Sequence, residues 1–126
     1  MADSTVAKIT FGRVAPTICV RNIQAGCEFY TRVLGFTKVF ENGNPVGFMV
    51  LIKDAAEIHL SEKPDHRAST VNVMHVWVDD ARALFAQCQA AGVRIVKDLA
   101  DKNYGQRAFV FADPDCNRID VGERLH

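Results

Sequence analysis

No charge of one sign predominates in this 126-residue sequence: 15 Lys and Arg stand against 15 Asp and Glu. That balance excludes the strong uniform field that holds nucleic acid or an anionic membrane by charge alone. Long apolar runs are missing too. The longest, residues 46–52, is far short of the roughly 20 residues that a spanning helix needs. The first ten residues lack a basic start followed by an apolar stretch, so no secretory signal is expected and a cytoplasmic location is. Cysteine is present without pattern. Cys19, Cys27, Cys88 and Cys116 make no CxxC pair or other zinc spacing, and are expected as free thiols in a reducing compartment. No low-complexity stretch or linker follows residue 12. A chain of this length, 48% hydrophobic, can bury a core without staples, so one domain over residues 1–126 is expected.

What the sequence does contain is a repeat. An apolar run at residues 14–20 precedes Asn22, a helix N-cap residue, then a helical stretch ending at Gly35, then the alternating strand FTKVFE. From Val71 the order recurs: strand VNVMHVWV, capping aspartates Asp79 and Asp80, helix ARALFAQCQAA, Gly92, strand VRIVKDL. Val20 and Val78 are 58 apart, and Gly35 and Gly92 are 57 apart. Each copy continues with two strands, GFMVLIK and AEIHLSE in the first, QRAFVFA and RIDVG in the second. The chain therefore reads as two βαβββ modules, at about 13–62 and 71–123. One module alone leaves a sheet face uncovered, so two must pair.

Alternation then assigns faces. Ile18, Ile58, Leu60, Met74, Val76, Ile119 and Val121 form apolar faces expected under the helices, together with Val14, Pro16 and Val20. Thr17, Cys19, Glu57, His59, His75, Trp77, Arg118 and Asp120 fall on the opposite, inner faces. The expected fold is α+β, a curved, incompletely closed, barrel-like sheet of eight strands with helices outside and a mixed hollow inside. Trp77, the sole tryptophan, offers a flat indole for stacking on an aromatic ligand. Two carboxylates and a histidine suit acid–base work. An Arg–carboxylate pair that only neutralises the pocket is the favoured reading, because a lone base leaves developing charge uncompensated. Tyr104 and Arg107 stand near a Gly-containing bend, where loop side chains often touch ligands. The segment Asp113-Pro114-Asp115-Cys116-Asn117 begins like a calcium loop, but Arg118 and Arg124 occupy its glycine and glutamate places. It reads as a turn.

These residues resemble the vicinal oxygen chelate, or glyoxalase/bleomycin-resistance/dioxygenase, superfamily. The marks are F-Y-x-x-V-L-G-F from Phe29 to Phe36, V-D-D from Val78, and Y-G-Q-R…D-P-D-x-N from Tyr104 to Asn117. The resemblance implies paired modules around a cleft and a dimer. Its enzymes hold a divalent metal with four side chains, whose positions here fall on Ala15, His59, Val73 and Asp120. Two of these cannot ligate, and catalytic metals normally want three protein ligands, so no metal or other cofactor is expected.

The pattern is similar instead to the metal-free antibiotic-binding resistance proteins, in Ala15-Pro16, in the strand bearing Trp77 and in Tyr104 to Arg107. What this implies is a homodimer, with no nucleic-acid or membrane partner, that sequesters a flat or amphipathic small molecule. The expected ligand-binding set is Glu57, His59, His75, Trp77, Tyr104, Arg107, Arg118 and Asp120. A metal-dependent lyase, isomerase or dioxygenase with a rearranged site, and a ligand-responsive regulatory module, are the alternatives.

Overall fold

The computed structural model describes residues 6–125. The first module contains β1 (Thr17–Val20), α1 (Ile23–Arg32), β2 (Thr37–Gly43), β3 (Val46–Lys53) and β4 (Ala56–Glu62). The second contains β5 (Asn72–Trp77), α2 (Ala81–Ala90), β6 (Arg94–Lys102), β7 (Gln106–Ala112) and β8 (Arg118–Arg124). The helices start where capping chemistry puts them. The Asn22 side chain accepts a hydrogen bond from the amide of Ala25, and Asp80 accepts one from Ala83. Two glutamates from the last strands add to this: Glu62 accepts from the Ile23 amide and Glu123 from the Ala81 amide. An anionic group at each helix N-terminus also opposes the helix dipole favourably. Both helices are followed by glycines at positive φ, Gly35 and Gly92.

The strands form two four-stranded sheets, β1-β4-β3-β2 and β5-β8-β7-β6, and they are not closed into a barrel. In each, the first strand lies parallel to the fourth and the other pairs are antiparallel. One helix lies on each sheet, α1 over β2, β3 and β4, and α2 over β6, β7 and β8. The two helix-covered faces merge into one core that includes Ile18, Tyr30, Met49, Leu60, Phe109, Phe111, Ile119 and Val121. Phe29 of α1 reaches Phe111 of β7, with ring centroids 6.4 Å apart.

The expected face split holds for Ile18, Ile58, Leu60, Ile119 and Val121, all essentially inaccessible. Four positions differ, Pro16 among them as a half-buried residue just ahead of β1. Val14 is 82% exposed, because β1 begins only at Thr17 and the last backbone bond to β4 runs from the His59 amide to the Pro16 carbonyl. Met74 and Val76 are only half-buried. Helix α2 packs mainly over β6, β7 and β8, so Met74 and Val76 touch the core at its margin and line a groove of about 530 Å³ between the modules.

The turn at residues 113–117 joins the modules. Its Asp113, Asp115 and Asn117 are the buried carboxylates and amide among the described residues. Asp113 accepts from the Tyr30 hydroxyl, from the Asn117 side chain, and from the amides of Asp115 and Asn117. Asp115 accepts from the amide and the guanidinium of Arg21. The Asn117 side chain donates to the carbonyl of Cys19, and its oxygen meets His66 Nε2 at 2.8 Å. All these buried polar atoms are satisfied, as a dry site demands.

Two predictions come from this turn. Burial, helped by the Asp113 carboxylate, pushes the Tyr30 phenol well above its ordinary value. The native state thus keeps the phenolic proton after the unfolded chain has lost it, so this contribution to stability is complete below about pH 10 and declines above it. Denaturant unfolding should show an alkaline loss of stability that is shallower in Tyr30→Phe, whose neutral-pH stability should fall by about 1–2 kcal/mol. Equal alkaline slopes in the two proteins would refute this. Separately, Cys116 sits at φ 67°, a left-handed conformation that costs a side chain about 1 kcal/mol. Cys116→Gly should therefore be neutral or stabilising by up to about 1 kcal/mol, the gain limited by glycine's freedom in the unfolded chain. A clear loss of stability would contradict the strain.

Candidate functional site

Each sheet has a face that no helix covers. On the first sheet, cross-strand register sets Thr17, His59, Val50 and Phe40 in one row, and Cys19, Ser61, Phe48 and Asn42 in the next. Glu57 and Ile52 pair alongside. His59 Nε2 lies 2.7 Å from Glu57 Oε2, and Arg13 approaches the same carboxylate at 4.0 Å. The His59 ring stands edge-on to Phe48 at 5.3 Å, and Phe48 is followed by Phe40 at 6.4 Å. This surface is mixed, with Phe40, Phe48 and Val50 beside Thr17, Asn42, His59 and Ser61 and one carboxylate, Glu57.

The second helix-free face is built differently. One row runs His75, Asp120, Val110, Lys97; the next runs Trp77, Gly122, Ala108, Ala100. Arg118, Ala112 and Arg94 flank the first row, and Arg124, Gln106 and Lys102 flank the second. His75 Nδ1 lies 2.7 Å from Asp120 Oδ2, directly across the parallel β5–β8 ladder. The Trp77 ring meets His75 edge-on at 4.7 Å, and the Arg124 guanidinium lies 4.2 Å from its centroid. Trp77 nonetheless stays 46% exposed. Gly122 is required here. A Cβ at this position would collide with the Gln106 side chain and come within 2.9 Å of His75 Cε1.

Of the expected binding residues, His75, Trp77, Arg118 and Asp120 come together on the second sheet, while Glu57 and His59 pair on the first. Tyr104 stands exposed on the β6–β7 turn. Arg107 does not join them. It pairs across the ladder with Glu123, which caps α2, and its guanidinium binds Asp101 at 2.7 Å on the helix side. The favoured Arg–carboxylate pair is also replaced. Among the described residues Arg118 has no acidic partner within 4.0 Å, and both carboxylates engage histidines instead. The reason is geometric: Glu57 and His59 are two apart on one strand, and strand register places His75 opposite Asp120.

The sequence reading missed Gln106, Gly122 and Arg124. Extending the alternation of β8 by two residues reaches Arg124. The parity of Phe109 and Phe111, whose rings pack toward the helices, assigns Gln106 rather than Arg107 to the open face.

The donor set does not fit the four-ligand metal site of the related enzymes. Ala15 and Val73 carry no ligating atom, His59 and Asp120 are each held by another side chain, and among the described residues no three His, Cys, Asp or Glu side chains cluster. The four cysteines are unpaired, and burial raises the Cys88 thiol to about 11, which keeps it protonated and unreactive at neutral pH. No helix among the described residues is long and apolar enough to cross a membrane.

Comparison with known proteins agrees with this architecture. A superfamily member from Sphaerobacter thermophilus superposes with a TM-score of 0.77 at 25% identity, over 94% of this chain and all of that one. A bleomycin-binding protein complexed with bleomycin gives 0.76 at 22% identity, over 90% of this chain and 99% of that one. A fosfomycin resistance protein from Listeria monocytogenes gives 0.73 at 13% identity, over 91% and 94% of the two chains. No curated protein matches the sequence. The sequence profile of the glyoxalase/bleomycin resistance protein/dioxygenase superfamily spans residues 10–121, and the chain belongs to that superfamily.

Proposed function

We propose that this protein is a non-catalytic binder that sequesters a flat or amphipathic small molecule, such as an antibiotic, on its helix-free sheet faces. The observation that carries the reading is Trp77. A large indole standing 46% exposed on a sheet face, edge-on to His75, has apolar area that a planar ligand can cover. The donor set argues for binding over metal-assisted chemistry, since two of the four ligand positions hold Ala15 and Val73. The structural likeness to a bleomycin-binding protein supports the same reading at the level of fold.

The binder acts as a homodimer. Each sheet ends in an open parallel edge strand, β1 or β5, and such edges invite pairing with a second copy. A second chain also supplies what one chain lacks, a roof over the two exposed faces. Sedimentation at tens of micromolar, a range that captures even weak contacts, should give a dimer; a monomer would remove the shared-cleft argument.

Binding is tested by screening planar compounds against the intact protein, with the single indole as reporter. Saturable quenching or a shift of its emission is expected for some of them. Calorimetry on Trp77→Ala should then show a loss of about tenfold or more, from lost burial plus lost stacking. Trp77→Phe should lose less, because a ring remains. An apo emission that is already blue-shifted and resists quenchers would make Trp77 a core plug and contradict the proposal.

A further inference from the structure

The chain is neutral as a whole, but its charge is not evenly spread. The helix-free face of the second sheet carries Arg94, Lys97, Lys102, Arg118 and Arg124 against two carboxylates, Asp120 by register and Asp98, which stands exposed on β6 between Lys97 and Ala100 with Leu99 turned to the core. Asp120 is occupied by His75 at 2.7 Å. Among the described residues none of the five basic groups has an acidic partner within 4.0 Å. Apart from Asp98, and Asp79 at the pocket beside Trp77 and Arg124, the acids of the second module sit elsewhere. Asp101 binds Arg107 and Glu123 caps α2, both on the helix side, while Asp113 and Asp115 are in the clamp turn. The helix-free face of the first sheet is the converse, with Phe40, Phe48, Val50 and Ile52 beside a single carboxylate, Glu57, held by His59.

We infer that the ligand is an anionic aromatic small molecule, its planar part against Trp77 and its acidic group on the basic side chains of the same sheet face. This rests on the binding reading and names the class of compound within it. The backbone between the two basic flanks is Gly122, Ala108 and Ala100; the Gln106 and His75 side chains lie over Gly122 and Ala108 is covered, so a flat ring would rest on these side chains and on exposed Trp77, with the long basic side chains around it reaching its substituent. Uncompensated cations on one surface repel one another, and a bound anion relieves that repulsion. Arginine suits a carboxylate or a phosphate through its two-pronged donors. A cationic drug is disfavoured by the same charges. The face is four short strands wide and its basic groups are broken up by Asp98 and Asp120, so the match is to a small anion rather than to a polymer.

The test uses the intact protein and a matched set of probes that share one ring system: 2-naphthoate, its methyl ester, 2-naphthylmethylamine and 2-naphthyl phosphate. Calorimetry should give the two anions an advantage of about tenfold or more over the ester, with the amine weakest, since an ionised partner makes a hydrogen bond about twice as strong. The advantage should shrink when salt rises from about 0.05 to about 0.5 M, as the screening length contracts. Whichever of carboxylate and phosphate binds better identifies the acidic group. Arg118→Gln should cost the anions several-fold and leave the ester unchanged, with thermal unfolding checking that the variant is folded; Lys97→Gln provides a second, more exposed site for the same comparison. Equal affinities across all probes, sensitive to Trp77→Ala, would overturn the charge assignment and leave the binding reading standing. If no probe binds and Trp77→Ala changes nothing, the binding reading itself falls. Stronger binding of heparin or an oligonucleotide than of 2-naphthoate, with a steep salt dependence, would assign the face to a polyanion and overturn the inference as well.

Discussion

Everything else in this fold depends on a buried polar turn. Residues 113–117 are inserted between modules whose sheets share no backbone ladder, and they supply the directional bonds that fix how one module sits on the other. Tyr30 comes from α1, Arg21 and the Cys19 carbonyl from the end of β1, and His66 from the loop between modules. Apolar contacts between Phe29 and Phe111 add area but not direction. Because the turn consumes its own donors and acceptors completely, it is a structural device. Its resemblance to a metal-binding loop is confined to residue types.

That packing dictates where function can reside. Two helices of ten residues each are used up in covering one side of each sheet, and the shared core takes both of those sides. The helix-free sides are left to other partners. Their chemistry diverges despite the repeat. His59 and Asp120 occupy equivalent places on the last strands of the modules, yet one is held by a glutamate on its own strand and the other by a histidine on the neighbouring strand. One face carries Phe40 and Phe48 among polar residues, the other a set of basic side chains.

The architecture was legible in the sequence because its signals are local. Asn22 and Asp80 cap, Gly35 and Gly92 stop, and alternation marks Ile58, Leu60, Ile119 and Val121 as core. The errors come where a local signal lacks its distant counterpart. Val14 is apolar and β-branched but has no strand to pair with. Met74 has the right parity but touches the core only at its margin. Arg107 drew notice as a charged group in a motif, although its parity with Phe109 places it on the other side. Still less legible was the clamp turn, whose partners lie 83, 94 and 98 residues away. The His75–Asp120 contact likewise depends on strand register, which alternation leaves open by steps of two.

The central claim is that the helix-free face around Trp77 is the ligand surface. The competing location is the groove of about 530 Å³ between the modules, lined by Phe36, Met74, Val76 and Leu84 and also touched by Trp77. Titration of isotopically labelled protein with 2-naphthoate, followed by NMR, separates the two. The account predicts progressive shifts of the single indole resonance and of the amides of Gly122, Ala108 and Asp120, with Leu84 and Phe36 unmoved. Shifts centred on Phe36, Met74 and Leu84, with Gly122, Ala108 and Asp120 unmoved, would contradict it whether or not the indole responds.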